Sequence, residues 1–133
     1  MLADERLALD GQEPLGQALG FWARFDRSNS EAHGSAVAEF GLGSLIEVPV
    51  RYLSTGQRKR AVLARALASG APVWLLDEPL NGLDQAAGQT LNRMVAGHCA
   101  DGGIAVIASH QPLELGGLET LALAQFAPDE EPA

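Results

Sequence analysis

Two short apolar runs, separated by one helix-length segment, constrain the fold of this chain most strongly. Residues 73–76 and 104–108 are continuous apolar runs, as expected of strands that are covered on both faces. Between them, residues 85–100 place apolar side chains at helical spacing, and two glycines follow. This order predicts a βαβ unit with parallel strands and a right-handed crossover. We therefore expect an α/β fold with ionisable groups at the C-terminal ends of its strands.

The first 52 residues are predicted to add a small helical layer. Pro14 suits a first helical turn, and the apolar residues after it repeat at a spacing of 3.6. Ser28 and Glu31 predict a capping box before a second helix. Pro49 argues against a central strand in the connector over residues 44–52. We divide the chain into an irregular segment (1–13), a helical portion (14–52), an α/β portion (53–126, with a strand near 120–126) and an acidic tail (127–133).

Composition limits the partners that the chain can have. Its 133 residues carry a net charge of −8 with a pI near 4.7, which argues against direct nucleic-acid binding. Five of the nine Lys and Arg residues nonetheless lie between positions 51 and 65, as either a solvated helix face or a local anion-facing patch. Cys99, the single cysteine, is expected in the core. No apolar run of about 18 residues predicts a membrane span, and residues 1–6 lack the pattern of a secretory signal.

Two carboxylates follow the first predicted strand, and a histidine follows the second. Asp77 ends a rigid strand and could hold a hard cation such as Mg²⁺, whereas Glu78 could poise a water as a base. Pro79 favours this by keeping Glu78 out of helical geometry. The alternative is a strand that simply meets solvent. His110 is either a satisfied surface residue or a sensor that hydrogen-bonds a terminal phosphoryl oxygen. Asp84 most simply caps the next helix, or belongs to a signalling loop.

A polar turn at residues 53–57 opens another predicted helix, which runs to about Ser69. Ser54 and Gln57 form a capping box, which at the least satisfies N–H groups that lack partners inside the helix. The functional interpretation is that Ser54, Gly56 and the helix N-terminus present donors and a partial positive charge to an anion. Glycine at position 56 would let a ligand approach the backbone closely. Both interpretations remain open at this point.

Together, the order and spacing of these segments resemble those of ABC ATPases. Residues 53–57, Leu-Ser-Thr-Gly-Gln, resemble the signature motif, and residues 73–78 resemble the Walker B strand with its catalytic glutamate. Residues 81–84 resemble the D-loop, and residues 109–110 resemble the segment with the switch histidine. The resemblance covers about residues 15–125. It implies a partial P-loop NTPase fold, a parallel βαβ core preceded by a small helical subdomain.

This resemblance implies ATP and Mg²⁺ as ligands. Asp77 would lie in the Mg²⁺ shell, Glu78 would orient or deprotonate the attacking water, and His110 would contact the γ-phosphate. Two such subunits dimerise head to tail in the family, so the signature residues would touch ATP held by the opposite subunit, and Asp84 would report across the same interface. The signature residues are Ser54, Thr55, Gly56 and Gln57, with Thr55 in place of the usual glycine. A β-branched residue is tolerable there if its φ is negative.

A finer resemblance, carried by residues 21–22, 102–104 and 109–113, is to the ATPase subunits of haem exporters in cytochrome c maturation. It implies integral membrane transporter subunits as partners and a peripheral position on the cytoplasmic face of the inner or plasma membrane. The phosphate-cradling motif G-x-x-x-x-G-K-[ST] is not found in the sequence. The only lysine, Lys59, lies inside the signature helix. The sequence therefore resembles the C-terminal part of an ABC ATPase.

Three hypotheses follow from the resemblance. The chain is part of an ATP-hydrolysing subunit of a haem exporter, as a fragment or through a mis-started reading frame. Alternatively, it is a short module that offers its signature face to a complete ABC subunit. The third hypothesis is an ABC ATPase that acts on nucleic acid or ribosomes, and the acidic charge counts against it.

Overall fold

Four helices and a three-stranded sheet make up the part of the chain that the computed structural model describes, residues 2, 3 and 9–128. In chain order the elements are β1 (Leu2–Ala3), α1 (Leu15–Phe25), α2 (Ser30–Glu39), α3 (Thr55–Leu67), β2 (Val73–Asp77), α4 (Gln85–Ala100) and β3 (Ile104–Ala108). Three 3₁₀ helices lie between or after them, at Gly43–Leu45, Val50–Tyr52 and Leu123–Phe126. Among the described residues, none of the helices has both the length and the apolar character that a bilayer crossing requires.

The sheet contains the predicted βαβ unit and one further strand. β2 and β3 pair in parallel, and the register sets Asp77 opposite Ala108. α4 connects them over the predicted range. β1 pairs in parallel with the other edge of β2, so the strand order is β1–β2–β3. The prediction that residues 1–13 are irregular is wrong for β1. A strand of two residues is too short to show the alternating pattern by which strands are predicted from sequence. Residues 1 and 4–8, and residues 129–133 of the predicted tail, lie outside the described residues.

Only one face of the sheet is covered by helices in the described part of the chain. Trp74 and Leu76 of β2 are buried in one apolar cluster with Leu63 of α3 and Leu91 of α4. The alternate side chains of β2 and β3 are 38% to 57% exposed; they are Val73, Leu75, Ile104 and Val106. The prediction that both faces are covered is therefore wrong for these residues. We call this uncovered side, with its four exposed residues, the open sheet face.

Three local predictions also need correction. The cap of α2 is Asn29, whose side chain accepts the backbone N–H of Glu31 at 2.8 Å, whereas Ser28 Oγ donates to a carbonyl of α1. Cys99 is exposed, because it lies on the solvent side of the last turn of α4. Residues 123–126 form a 3₁₀ helix, and no strand pairs there.

The helix α3 is the central element of the helical layer. Its residues from Ala61 to Leu67 are all buried, and the helix packs against α1 and α2 as well as against the sheet. It begins immediately after the Ser54 turn. Leu53, which precedes this turn, belongs to the same apolar cluster as Trp74 and Leu76 of β2, so the start of α3 is anchored in the core that supports the sheet.

Candidate functional site

Glu78 occupies a strained backbone position at the end of β2. Its φ angle is +44°, a left-handed conformation that non-glycine residues seldom adopt. Its N–H donates to the carbonyl of Ala108 at 2.8 Å, which continues the pairing of β2 with β3. The following residue, Pro79, is fully buried. The prediction that Glu78 lies outside helical geometry is confirmed, and the strain is of the kind found at functional sites.

The Glu78 carboxylate is held against His110, which follows β3. Glu78 Oε1 contacts His110 Nδ1, and the backbone N–H of His110 donates to the same carboxylate at 3.1 Å. The hydrogen bond from the His110 side chain is the main reason that the pKa of Glu78 is below its ordinary value, with smaller contributions from the His110 backbone and the charge of Lys59. Glu78 is therefore ionised at neutral pH. An ionised carboxylate can both orient a water and accept its proton, and the lowered pKa makes Glu78 a weaker base with the His110 contact than it would be without it.

The loop between β2 and α4 is fixed at both ends. Asn81 Oδ1 accepts a hydrogen bond from Gln111 Nε2 at 2.9 Å, so the loop is tied to the segment that carries His110. Asp84 is the N-cap of α4, and its carboxylate accepts the N–H of Ala87 at 2.8 Å. The capping prediction for Asp84 is thus confirmed. Its signalling role remains a prediction.

The signature-like turn forms the predicted capping box. Ser54 Oγ accepts the N–H of Gln57 at 3.1 Å, and Gln57 Oε1 accepts the N–H of Ser54 at 2.9 Å. Ser54 and Thr55 are exposed. A methyl group at Gly56 would meet the carbonyl oxygen of Gly82 at 3.0 Å. The glycine is therefore required by the close approach of the signature turn to the 81–84 loop.

Four of the five cations between positions 51 and 65 bind groups of the protein itself, and so form neither a solvated helix face nor an anion-facing patch. Arg58 and Arg60 donate to the backbone carbonyls of Val50 and Phe40, and Lys59 donates to that of Glu78. Arg65 is buried with Asp26, their side chains 3.6 Å apart, and its guanidinium lies over the Trp22 ring. These cations join segments of the fold to one another. Lys59 and Arg65 are buried, Arg58 and Arg60 are partly exposed, and Arg51 is exposed.

The residues that could hold Mg²⁺ are few. Asp77 is exposed at the end of β2, and no group of three or more His, Cys, Asp or Glu side chains in the described residues is arranged for a metal ion. Mg²⁺ is commonly bound by one or two carboxylates together with substrate phosphates. Asp77 fits that donor set as a single protein ligand.

Sequence reasoning gave Lys59 no role, although a usable signal was present. Lys59, Leu63 and Ala66 follow the spacing of one helix face, and the last two are core residues. That spacing places the lysine on the buried side of α3, where it is 8% exposed. The Asn81–Gln111 pair was also missed, and no local pattern predicts it.

The fold and the arrangement of the site are those expected of an ABC ATPase, and comparison with known proteins supports this class. Residues 5–81 match the sequence profile of the family described as ABC transporter. The chain therefore belongs to the ABC transporter family. Its described part also superimposes on the dimeric, post-hydrolysis structure of the ATP-binding cassette MJ0796 bound to ADP and Pi, with a TM-score of 0.71 at 20% identity. The match covers 83% of this chain and 51% of that one, and shows a shared fold.

Two curated relatives make the comparison more specific. The chain is 61% identical over 127 residues to the cytochrome c biogenesis ATP-binding export protein CcmA of Novosphingobium aromaticivorans, across 96% of this chain and 64% of the relative. It is 48% identical over 126 residues to the protein of the same name from Sphingopyxis alaskensis, across 95% of this chain and 65% of the relative. The chain thus spans a little under two thirds of the length of these relatives. It is similar to CcmA proteins over nearly all of its own length.

Proposed function

We propose that this chain supplies the signature, Walker B and switch-histidine part of an ATP-hydrolysing ABC transporter subunit that serves haem export in cytochrome c maturation. One observation carries the proposal. The ends of β2 and β3 hold the Glu78 carboxylate against His110, beside a signature-like turn that packs on the 81–84 loop. The similarity to CcmA proteins supports the choice of transport system.

In the proposed reaction, the ionised Glu78 accepts a hydrogen bond from the attacking water and sets its direction. His110 leaves Glu78 when nucleotide is bound and donates to the terminal phosphoryl oxygen. Asp77 would be the protein ligand of Mg²⁺, which neutralises phosphate charge when it is bound. Ser54, Thr55, Gly56 and Gln57 would offer donors to ATP in a second subunit, and Asp84 would lie at the same interface. Membrane transporter subunits would dock this ATPase at the cytoplasmic face of the membrane.

Phosphoryl transfer in this class needs amides and a lysine that cradle the phosphates, and no segment of the sequence has that pattern. We expect the 133-residue chain alone to show no measurable ATPase activity and only weak affinity for ATP. Isothermal titration calorimetry with Mg·ATP tests this. Binding at micromolar affinity would contradict the view that the missing cradle is indispensable.

A second candidate function is a short module that presents its signature face to a complete ABC subunit without hydrolysing ATP. The same lack of a phosphate cradle favours it. Translation of the DNA immediately upstream of Met1 separates the two candidates. An in-frame glycine-rich phosphate loop supports the hydrolysing subunit, whereas a stop codon there supports the short module.

A further inference from the structure

Lys59 is a buried cation whose environment needs an explanation. It is 8% exposed on α3, in a helix whose residues from 61 to 67 are all buried. An ammonium group removed from water is costly unless hydrogen bonds or opposite charges compensate it. Lys59 Nζ lies 3.3 Å from the main-chain carbonyl oxygen of Glu78 and donates to it. The compensation for this buried charge therefore involves the backbone of the candidate catalytic glutamate.

The Glu78 backbone is fixed on both sides of its left-handed φ. Its N–H is bound by Ala108 of β3 at 2.8 Å, and its carbonyl also accepts the N–H of Asn81 at 3.1 Å. The hydrogen bond from Lys59 adds a contact from a third element, α3. A strained conformation persists only where surrounding structure determines it. Lys59 is the side chain that supplies such a constraint to the carbonyl of Glu78.

We propose that Lys59 is a positioning residue for Glu78: by holding the Glu78 carbonyl, it keeps the backbone left-handed and the carboxylate aimed at the water that attacks ATP. The proposal rests on the proposed function, because it assigns Glu78 to that water. It also links two motifs, since Lys59 lies two residues after Gln57 on the helix that the signature turn begins.

The neighbouring arginine provides a matched control. Arg60 is on the same helix and donates to a backbone carbonyl as Lys59 does, but its acceptor is Phe40, at 2.9 Å. Phe40 is a core residue at the end of α2 and is not part of the candidate site. Lys59→Met and Arg60→Met therefore remove equivalent contacts, one at Glu78 and one away from it.

The first measurement uses the 133-residue chain and does not depend on ATP. NMR spectra of the Glu78 carboxyl and the His110 ring are compared in wild type, Lys59→Met and Arg60→Met. We expect Lys59→Met to shift both sets of signals and Arg60→Met to leave them unchanged. Identical Glu78 signals in wild type and Lys59→Met would overturn the proposal, whatever the ATPase does.

The second measurement is steady-state ATP turnover of the complete subunit in its transporter complex. We expect Lys59→Met to lower kcat about 10- to 100-fold with a nearly unchanged KM for ATP, since misplacing a reacting group by about 1 Å has an effect of that order. Lys59→Arg keeps a hydrogen-bond donor and should recover part of kcat. It also serves as a second variant if Lys59→Met does not fold. Equal losses of kcat in Lys59→Met and Arg60→Met would show a merely structural role and overturn the proposal. A separate result would refute the proposed function itself: full ATP turnover in Glu78→Gln.

Discussion

The Glu78 carboxylate contacts the His110 ring and accepts the His110 backbone N–H at 3.1 Å, although 32 residues separate the two along the chain. The contact follows from the sheet, because Asp77 and Ala108 are register partners and the two residues lie just beyond them. The pairing joins the candidate water-orienting group to the candidate phosphate sensor. In the function that we propose, His110 would turn towards a phosphate and so release Glu78 to bind water.

Replacing Gly56 with alanine is predicted to destabilise the chain. The added methyl group would lie 3.0 Å from the carbonyl oxygen of Gly82, so the signature turn and the 81–84 loop must separate. We expect a loss of about 1–3 kcal/mol in the free energy of unfolding, measured by urea denaturation. Gly97→Ala in α4 is the control, because nothing lies within 4 Å of its added methyl group. It should stabilise the helix by about 0.5–1 kcal/mol, and changes of the same sign in both variants would contradict this account.

Stability should fall as the pH is lowered from 7.5 to 5.5. Burial lowers the pKa of His33 below its ordinary value of 6.5; nearby Asp26 opposes this effect and Arg65 adds to it. The folded state thus binds a proton at His33 less readily than the unfolded state does, so the stabilisation is present above pH 6.5 and is lost below it. The lowered pKa of Glu78 acts only below about pH 4.5, outside this window.

The melting temperature of wild type and His33→Gln, followed by circular dichroism across this pH range, tests the prediction. We expect wild type to lose melting temperature more steeply than the variant. The other two histidines are present in both proteins, so the difference in slope reports His33. Equal slopes would show that His33 does not couple folding to pH.

The open sheet face should bind an apolar dye. Its four apolar residues are neighbours on β2 and β3, and each is 38% to 57% exposed. A contiguous exposed apolar patch of this kind is uncommon on a protein surface. We expect Ile104→Thr combined with Val106→Thr to reduce the fluorescence of bound anilinonaphthalene sulfonate at least about twofold. Leu121→Thr with Leu123→Thr is the control, since those leucines are also exposed but belong to none of the strands. An equal reduction by both pairs would contradict a single patch.

Local patterns in the sequence predicted much of the framework. The capping box at Ser54 and Gln57, the Asp84 cap and the extent of α4 depend on residues within a few positions of one another, and all are confirmed. The ABC ATPase fold followed from the order of the motifs rather than from any single one, and comparison with known structures confirms it.

What the sequence could not predict depends on contacts between distant segments. The pairing of β1 with β2 involves two residues on each strand and has no local signature. The apolar runs of β2 and β3 were consistent with strands that are covered on both faces. Whether their side chains are exposed, however, depends on which other elements pack on each face of the sheet, and the runs themselves do not show that. The contacts of Arg58, Lys59 and Arg60 are with carbonyl groups 8 to 20 residues away in the chain.

The most direct test of the central claim is the ATP turnover of a complete ABC subunit that contains this chain with Glu78→Gln. Glutamine keeps the size of the side chain but removes the charge that orients the water. We expect kcat to fall at least about 100-fold while ATP is still bound, with Glu114→Gln as an exposed control that keeps full turnover. Unchanged turnover in Glu78→Gln would contradict the assignment of Glu78, and with it the proposal that this chain carries the water-orienting half of an ATPase site.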